Sequence, residues 1–322
     1  MNTFFTKTIL SILLLSTSLS YSAENSITTL MEHFQTLDNL PKKKFTKSQF
    51  QEISAALEKK EEKIRLVTYN MLFNLYDHNL AEENRWPNRL PRIVDLIATM
   101  QPDIINTQEL YPSQVEDLLA LIDNEFEFFA GQKDADGESY GILFRKDRFE
   151  LLSDNIQYPL SMVQLKDLKT DKIVYIFNTH MPLANIEKRE ANARAIVQAI
   201  EPVAQEHAVI FTGDLNTFAT MLDLDKLPFY DGDHIHRILS QGSLKNSQSL
   251  SLLGHFGPLS TFTNNGTGAD PFQGTGTPGI VLDYIYVSSK LTVLAHATEP
   301  ATVDGHFPSD HMPVMIDFIV NE

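Results

Sequence analysis

The chain has 322 residues, 43% apolar and 21% charged, which is enough for one large domain or two small ones around a real core. A formal net charge of −16 argues against broad, salt-driven binding to nucleic acid or anionic membranes, and it leaves room for a local cationic site or a bound metal. With no cysteine, disulfides and a thiol nucleophile are both excluded.

The first element is a targeting segment. Lys7 gives a weakly basic start, Ile9 to Leu15 is almost wholly apolar, and Ser20-Tyr21-Ser22 offers a small-x-small cleavage site. The apolar run is too short to span a bilayer permanently. Residues 1–22 therefore read as the signal peptide of an exported, periplasmic or secreted protein, with no transmembrane segment in the mature chain. Residues 23–62 read as a helical N-terminal extension, with Leu30, Phe34 and Leu37 at helical spacing and a second run from Ser48 to Glu62. Lys42-Lys43-Lys44 reads as solvated surface.

From 63 to 322, strands and helices alternate with mostly short links, which favours a single α/β domain. Ile64 to Tyr69 is a strand with Asn70 at its end. A helix is predicted from Leu90 to Met100, stopped by Pro102. Asp103 to Gln108 is a second strand, ending on Glu109. Pro112-Ser113 opens a helix whose Val115, Leu118, Leu119 and Ile122 form an apolar, core-facing stripe. Tyr140 to Phe144 and Phe149 to Tyr158 read as strands. The link from there to the next strand, Lys172 to Asn178, reads as short, which would leave one side of a cleft open. That strand closes on Thr179-His180, and a helix follows from Lys188 to Val203.

Val209 to Thr212 is a buried strand that runs into Gly213-Asp214-Leu215-Asn216, so a carboxylate and a carboxamide sit at a strand's C-terminal lip. The stretch up to Ile280 is less regular. Its His234 and His236 read as exposed loop histidines without a role. Gly274 to Gly279 matches GxGxxG by letter, but no strand precedes it and Pro278 opposes the required helix, so it reads as a loop. Strands resume at Val281 to Val287, Leu291 to His296 and Val314 to Ile319. Asp283 lies in the first of these, and Asp310-His311 precede the last.

Six segments thus deliver Asn70, Glu109, Asn178, His180, Asp214, Asn216, Asp283, Asp310 and His311 to strand ends. The hard oxygens of Asn, Asp and Glu suit Mg²⁺ or Mn²⁺, and the two histidines leave Zn²⁺ as an alternative. An Asp paired to a His makes the imidazole a better base and fixes its tautomer. No Gly-x-Ser-x-Gly elbow is present. A metal, an Asp/His base and amide donors, without a covalent nucleophile, suit attack by activated water on a phosphate ester.

Tyr69-Asn70, Gln108-Glu109, Asn178-Thr179-His180, Gly213-Asp214-Leu215-Asn216, Leu282-Asp283-Tyr284-Ile285 and Ser309-Asp310-His311 occur in the order seen in the endonuclease/exonuclease/phosphatase superfamily. The chain resembles that family from about Ile64 to Ile319. The resemblance implies a DNase I-like four-layer α/β sandwich, two packed mixed β-sheets flanked by helices. It implies that Glu109, helped by Asn70, holds a divalent metal, Mg²⁺ or Mn²⁺, with Asp310 near a second metal position. Asp214 would orient or deprotonate the attacking water, with His311 the alternative acceptor of its proton. His311, with Asp283 as its carboxylate partner, would contact the scissile phosphate, and His180 would donate to a non-bridging oxygen. Asn178, Asn216 and His180 form the implied substrate-binding set. Arg89 matches a recurrent family arginine, either buttressing Glu109 or structural.

The expected function is an exported, metal-dependent phosphoesterase acting on a small phosphate ester or phospholipid headgroup. The alternatives are a secreted nuclease and a non-catalytic binding protein on the same fold. Loop 217–280 carries only Lys226, Arg237 and Lys245 against several acids, which weighs against duplex DNA.

Overall fold

The structure is a computed structural model that describes residues 62–122, 125–133, 137–183, 185–217, 233–263, 281–300, 302–303 and 305–321. The signal peptide, the helical extension up to residue 61, Lys226 and the glycine-rich stretch at 274–279 lie outside the described residues.

The described chain runs β1 (Ile64–Asn70), α1 (Trp86–Met100), β2 (Ile104–Gln108), α2 (Pro112–Leu121), β3 (Phe126–Lys133), β4 (Ser139–Arg145), β5 (Phe149–Gln157), β6 (Leu160–Asp167), β7 (Ile173–His180), α3 (Ile186–Glu206), β8 (Ala208–Asp214), α4 (His234–Leu239), β9 (Lys245–Asn246), α5 (Ser247–Leu250), β10 (His255–Phe256), β11 (Asp283–Val287), β12 (Leu291–Thr298) and β13 (Val314–Val320). A seven-stranded sheet, β10-β12-β13-β1-β2-β4-β3, packs on a six-stranded sheet, β5-β6-β7-β8-β11-β9.

β1 shows why the layers form. Ile64 and Leu66 point between the sheets, while Val67 and Tyr69, on the alternate face, point out under the helices. Both faces are apolar, so both must be covered. Between the sheets, Leu66, Ile104, Ile142, Ile316 and Phe318 meet Val163, Val174, Ile176, Ile210 and Ile285. The apolar stripes of α1 and α2 cover the first sheet's outer face through Ile93, Leu96, Ile97, Met100, Val115 and Leu118. α3 and α4 cover the second through Ala193, Ile196, Ile200, Ile235, Ile238 and Leu239. This is the DNase I-like four-layer α/β sandwich expected from the sequence.

Several elements differ from the sequence reading. α1 starts four residues early, at Trp86, because Pro87 sits in the first turn, where no backbone N–H is needed. It ends at Gln101, which adopts a left-handed φ of 51° one residue before Pro102. β3 and β6 were not expected. β6 fills the supposedly short link between Phe149 and Lys172 and pairs antiparallel with both β5 and β7, so the sheet is continuous there. β5 is an edge strand, exposed along most of its length. His236 lies on α4 and not on an exposed loop: it is buried, with its ring 4.4 Å from that of Tyr284 and its Nδ1 bonded to the Tyr286 hydroxyl.

Candidate active site

The site lies at one end of the seam between the sheets. β1, β2, β7 and β8 bring it their C-terminal ends. β4, β11 and β13 run antiparallel to β2, β8 and β1, so they bring their N-terminal ends to the same edge. Register does the rest: Asp214 stands level with His180 on one side and Asp283 on the other. Gly213 makes the close strand pairing there feasible, because a Cβ at that position would run into the Thr179 carbonyl and side chain of β7.

Asp214 is the hub. Its Oδ2 accepts from Asn70 Nδ2 at 3.0 Å and faces His180 Nε2 at 3.6 Å and His311 Nε2 at 3.7 Å. Its Oδ1 accepts from the Asn216 backbone N–H at 2.9 Å. Asn70 spans the seam by donating also to Glu109 Oε1 at 2.9 Å, and its own carbonyl oxygen takes the Leu72 N–H. In this arrangement the Asn70 side chain orients two carboxylates through Nδ2, while its Oδ1 accepts from the backbone. The Asn216 carboxamide donates to Met181 O at 2.8 Å and sits 3.2 Å from His180 Nε2.

Each histidine is backed by a carboxylate. His311 Nδ1 donates to Asp283 Oδ2 at 2.8 Å, and His180 Nδ1 lies 3.8 Å from Glu138 Oε2. Burial pulls the His311 imidazole down, but Asp283, Asp214 and Asp310 more than offset this and hold it well above the usual histidine range. Asp283 itself is pushed up by burial, against the pull of the His311 charge and of its hydrogen bond. The Phe262 ring packs edge-on against His311 at 5.2 Å and limits its rotation.

Glu109 is pushed up first by burial, against the pull of His180, and then by the charge of Asp310. Glu109, Glu138, Asp214, Asp283 and Asp310 thus crowd around two imidazoles, an excess of negative charge that a dication relieves. Donor atoms of Glu109, His180 and Asp214 all lie within 4.8 Å of one another. Buried hard oxygens with surplus negative charge fit a divalent cation, and Glu109, His180 and Asp214 are side chains close enough to share one.

Eight of the nine predicted residues come together here. Asn178 does not reach the cleft. It is fully buried between the sheets, where its oxygen accepts from Gln108 at 2.8 Å and Thr212 at 3.2 Å, and its nitrogen donates to the carbonyls of Thr107 and Gly141. All four bonding positions are used, which makes it a tether between β2, β4, β7 and β8. Arg89 is also buried. It donates to the carbonyls of Met71 (2.8 Å), Leu72 (2.9 Å) and Pro308 (3.2 Å), clamping the segment after Asn70 to the one before Ser309. Arg189 on α3 likewise bonds the carbonyls of Pro182 and Leu183, just beyond His180.

Glu138 was missed. Its only sequence signal is an acid at the N-terminal lip of a strand, and that counts only once β4 is known to be antiparallel. The backbone is strained at the site as well: Leu72 (φ 55°), Glu109 (φ 61°) and Asn216 (φ 48°) are three of the five described non-glycine residues in the left-handed region.

Sequence comparison gives the class of the chain: it matches the Endonuclease/Exonuclease/phosphatase family over residues 67–311 and belongs to it. No curated protein matches the chain. Among solved structures, an endonuclease/exonuclease/phosphatase family protein from Bacteroides thetaiotaomicron is 20% identical, with a TM-score of 0.66 over 81% of this chain and 98% of that one. A mannosyl-6-phosphatase from the same organism is 19% identical, with a TM-score of 0.64 over 80% and 99%. D. rerio TDP2, solved with a single-strand DNA product, is 21% identical, with a TM-score of 0.58 over 80% and 98%. These likenesses extend to the fold. Among the described residues no helix is long and apolar enough to cross a membrane.

Proposed function

We propose that the protein is an exported, Mg²⁺- or Mn²⁺-dependent phosphoesterase that hydrolyses a small phosphate ester by attack of an activated water. The observation that carries this reading is the convergence of His180 Nε2 and His311 Nε2, at 3.6 and 3.7 Å, on one oxygen of Asp214, beside the carboxylate of Glu109. Two imidazole nitrogens around one carboxylate form a seat for a phosphoryl group next to a base. The reading of export rests on the signal-like residues 1–22.

In this mechanism Glu109 would hold the cation, with Asp310 near a second metal position. When bound, it supplies positive charge that screens the substrate's phosphate and polarises it towards attack. Asp214, anchored by Asn70 and by the Asn216 N–H, orients the water and takes its proton. His311, charged and locked to Asp283, donates to a non-bridging oxygen as negative charge develops there. His180 does the same from the other side, with Glu138 behind its Nδ1. The Asn216 amide nitrogen, 3.2 Å from His180 Nε2, lies at the same edge of the site. No side chain needs to form a covalent bond with substrate.

A small monoester, such as a sugar phosphate, fits the acidic chain better than duplex DNA does, and the similar fold of a mannosyl-6-phosphatase points the same way. The test is hydrolysis by the purified mature chain of sugar phosphates, read as phosphate release, and of phospholipid headgroup esters and single-stranded DNA, read as headgroup or fragment release, with Mg²⁺, Mn²⁺, Zn²⁺ or EDTA. Turnover of a monoester that EDTA abolishes and Mg²⁺ restores is expected. Preferential cleavage of DNA would replace the reading with the nuclease alternative. Phosphate-ester binding without turnover under every metal would replace it with the non-catalytic one.

A further inference from the structure

Behind the His311–Asp283 pair lies a second pair of histidines that the mechanism does not use. His255 on β10 stands opposite His296 on β12 in register, and their Nδ1 atoms are 2.8 Å apart. His255 Nε2 lies 2.8 Å from the Pro258 carbonyl oxygen. A carbonyl only accepts, so His255 Nε2 carries a hydrogen. Burial holds both imidazoles below the usual histidine range, and His255 lowers His296 further, so both rings are neutral near pH 7. In a neutral His255 with Nε2–H, Nδ1 is bare and accepts, which makes His296 Nδ1 the donor. His296 Nε2 is then a bare acceptor. The Pro258 carbonyl has settled the tautomer of a ring two steps away.

His296 and Asp283 line the same small, partly open cavity of about 10 Å³, together with Thr261 and Gln248. That is room for about one water molecule, and the lining is polar enough to hold one. Asp283 is 2% exposed: its Oδ2 accepts from His311, the Thr261 side chain also interacts with its carboxyl, and no hydrogen bond of good geometry reaches its buried Oδ1. A buried carboxylate oxygen without a partner is costly, and a bridging water is the ordinary remedy. Among the described residues the groups of three or more side chains able to hold a metal ion are Glu109-His180-Asp214 and Asp214-Asp283-His311, and neither includes His255 or His296.

We propose that His296 is a positioning residue for the catalytic pair: one buried water donates to His296 Nε2 and to Asp283 Oδ1, and this fixes the carboxylate plane so that Oδ2 faces His311. The inference rests on the phosphoesterase reading for its catalytic consequence, but not for the water itself. It links the first sheet, which carries His255 and His296, to the second, which carries Asp283, across the seam where the site is built.

The test compares His296→Asn and His296→Gln in the mature, Mg²⁺-loaded protein with p-nitrophenyl phosphate as substrate. An Asn amide places N–H where Nδ1 was, so it keeps the bond to His255 but loses the reach of Nε2. Gln reaches as far as Nε2 and restores the acceptor. The expected result is a fall in kcat of about tenfold for His296→Asn with KM unchanged, and near-normal kcat for His296→Gln, at closely similar melting temperatures. Equal kcat in wild type and His296→Asn, or equal loss in both variants, would overturn the proposal. A high-resolution crystal structure supplies the second readout, with a water expected within hydrogen-bond distance of both Asp283 and His296; a dry cavity would refute the bridge. Should the wild-type chain turn over no phosphate ester at all, the phosphoesterase reading fails, and the occupied or dry cavity still decides the bridge.

Discussion

At the scale of single residues, the two histidines look alike but are held differently. His311 donates to Asp283 at 2.8 Å, a true hydrogen bond, whereas His180 and Glu138 stand 3.8 Å apart, an ion-pair distance that becomes favourable only when the ring is charged. The tighter contact does more to fix tautomer and charge. Asp283→Asn is therefore expected to lower kcat by about a hundredfold or more, and Glu138→Gln by about tenfold or less. Steady-state kinetics on the two variants checks the ranking, and an equal or larger loss at Glu138 would mean that His180 carries the greater share of the chemistry. Asp214 was legible from its place after a buried strand and a glycine. Glu138 was not, because nothing near it in sequence distinguishes it from a turn acid.

At the scale of elements, the site depends on how closely β7 and β8 approach. The missing side chain at Gly213 lets the Thr179 backbone sit where a Cβ would go, and this places His180 level with Asp214. Gly213→Ala must push the strands apart or bend β8. It is expected to cost about 1–3 kcal/mol of stability and to lower activity in the same variant. Urea unfolding read beside turnover separates this from the Asp283→Asn case, where activity falls with little change in stability. The strands that pair centrally were legible from their apolar runs. β6, with its alternating buried and half-buried residues, and β3, with its partly exposed face, were not, because period-two patterns with charged members also read as links.

At the scale of the whole molecule, an ion network closes the sandwich at the end away from the site. Asp317 of β13 pairs with Arg65 of β1 at 2.6 Å and with Lys63 at 3.2 Å, while Arg148 joins Asp103 at 2.9 Å and Asp167 at 3.4 Å. Burial pushes the Asp317 carboxyl up, but Arg65 and Lys63 more than reverse this and bring it down to about 2 from 3.8. A depressed folded-state pKa gives stability that is fully present above the unfolded value and is lost as pH falls through the folded one. The pair should contribute about 2 kcal/mol that is present above roughly pH 4 and disappears towards pH 2. The stability gap between wild type and Asp317→Asn, measured in urea at pH 5 and pH 2, is expected to narrow by that amount. A gap independent of pH would show that Asp317 acts through packing alone.

By itself the sequence determined the family, the α/β sandwich and eight of the residues that meet in the cleft, because these depend on local signals: a buried run, a turn residue behind it and a short motif. The tertiary structure decided what depends on distant partners. Asn178, expected at the substrate, became an internal tether, and Glu138, unremarked in the sequence, became a partner of His180. The physical reason is that a polar side chain's job is set by whatever satisfies its hydrogen bonds. For Asn178 those groups come from β2, β4 and β8, and for Glu138 the neighbour comes from β7, all strands that folding alone brings alongside.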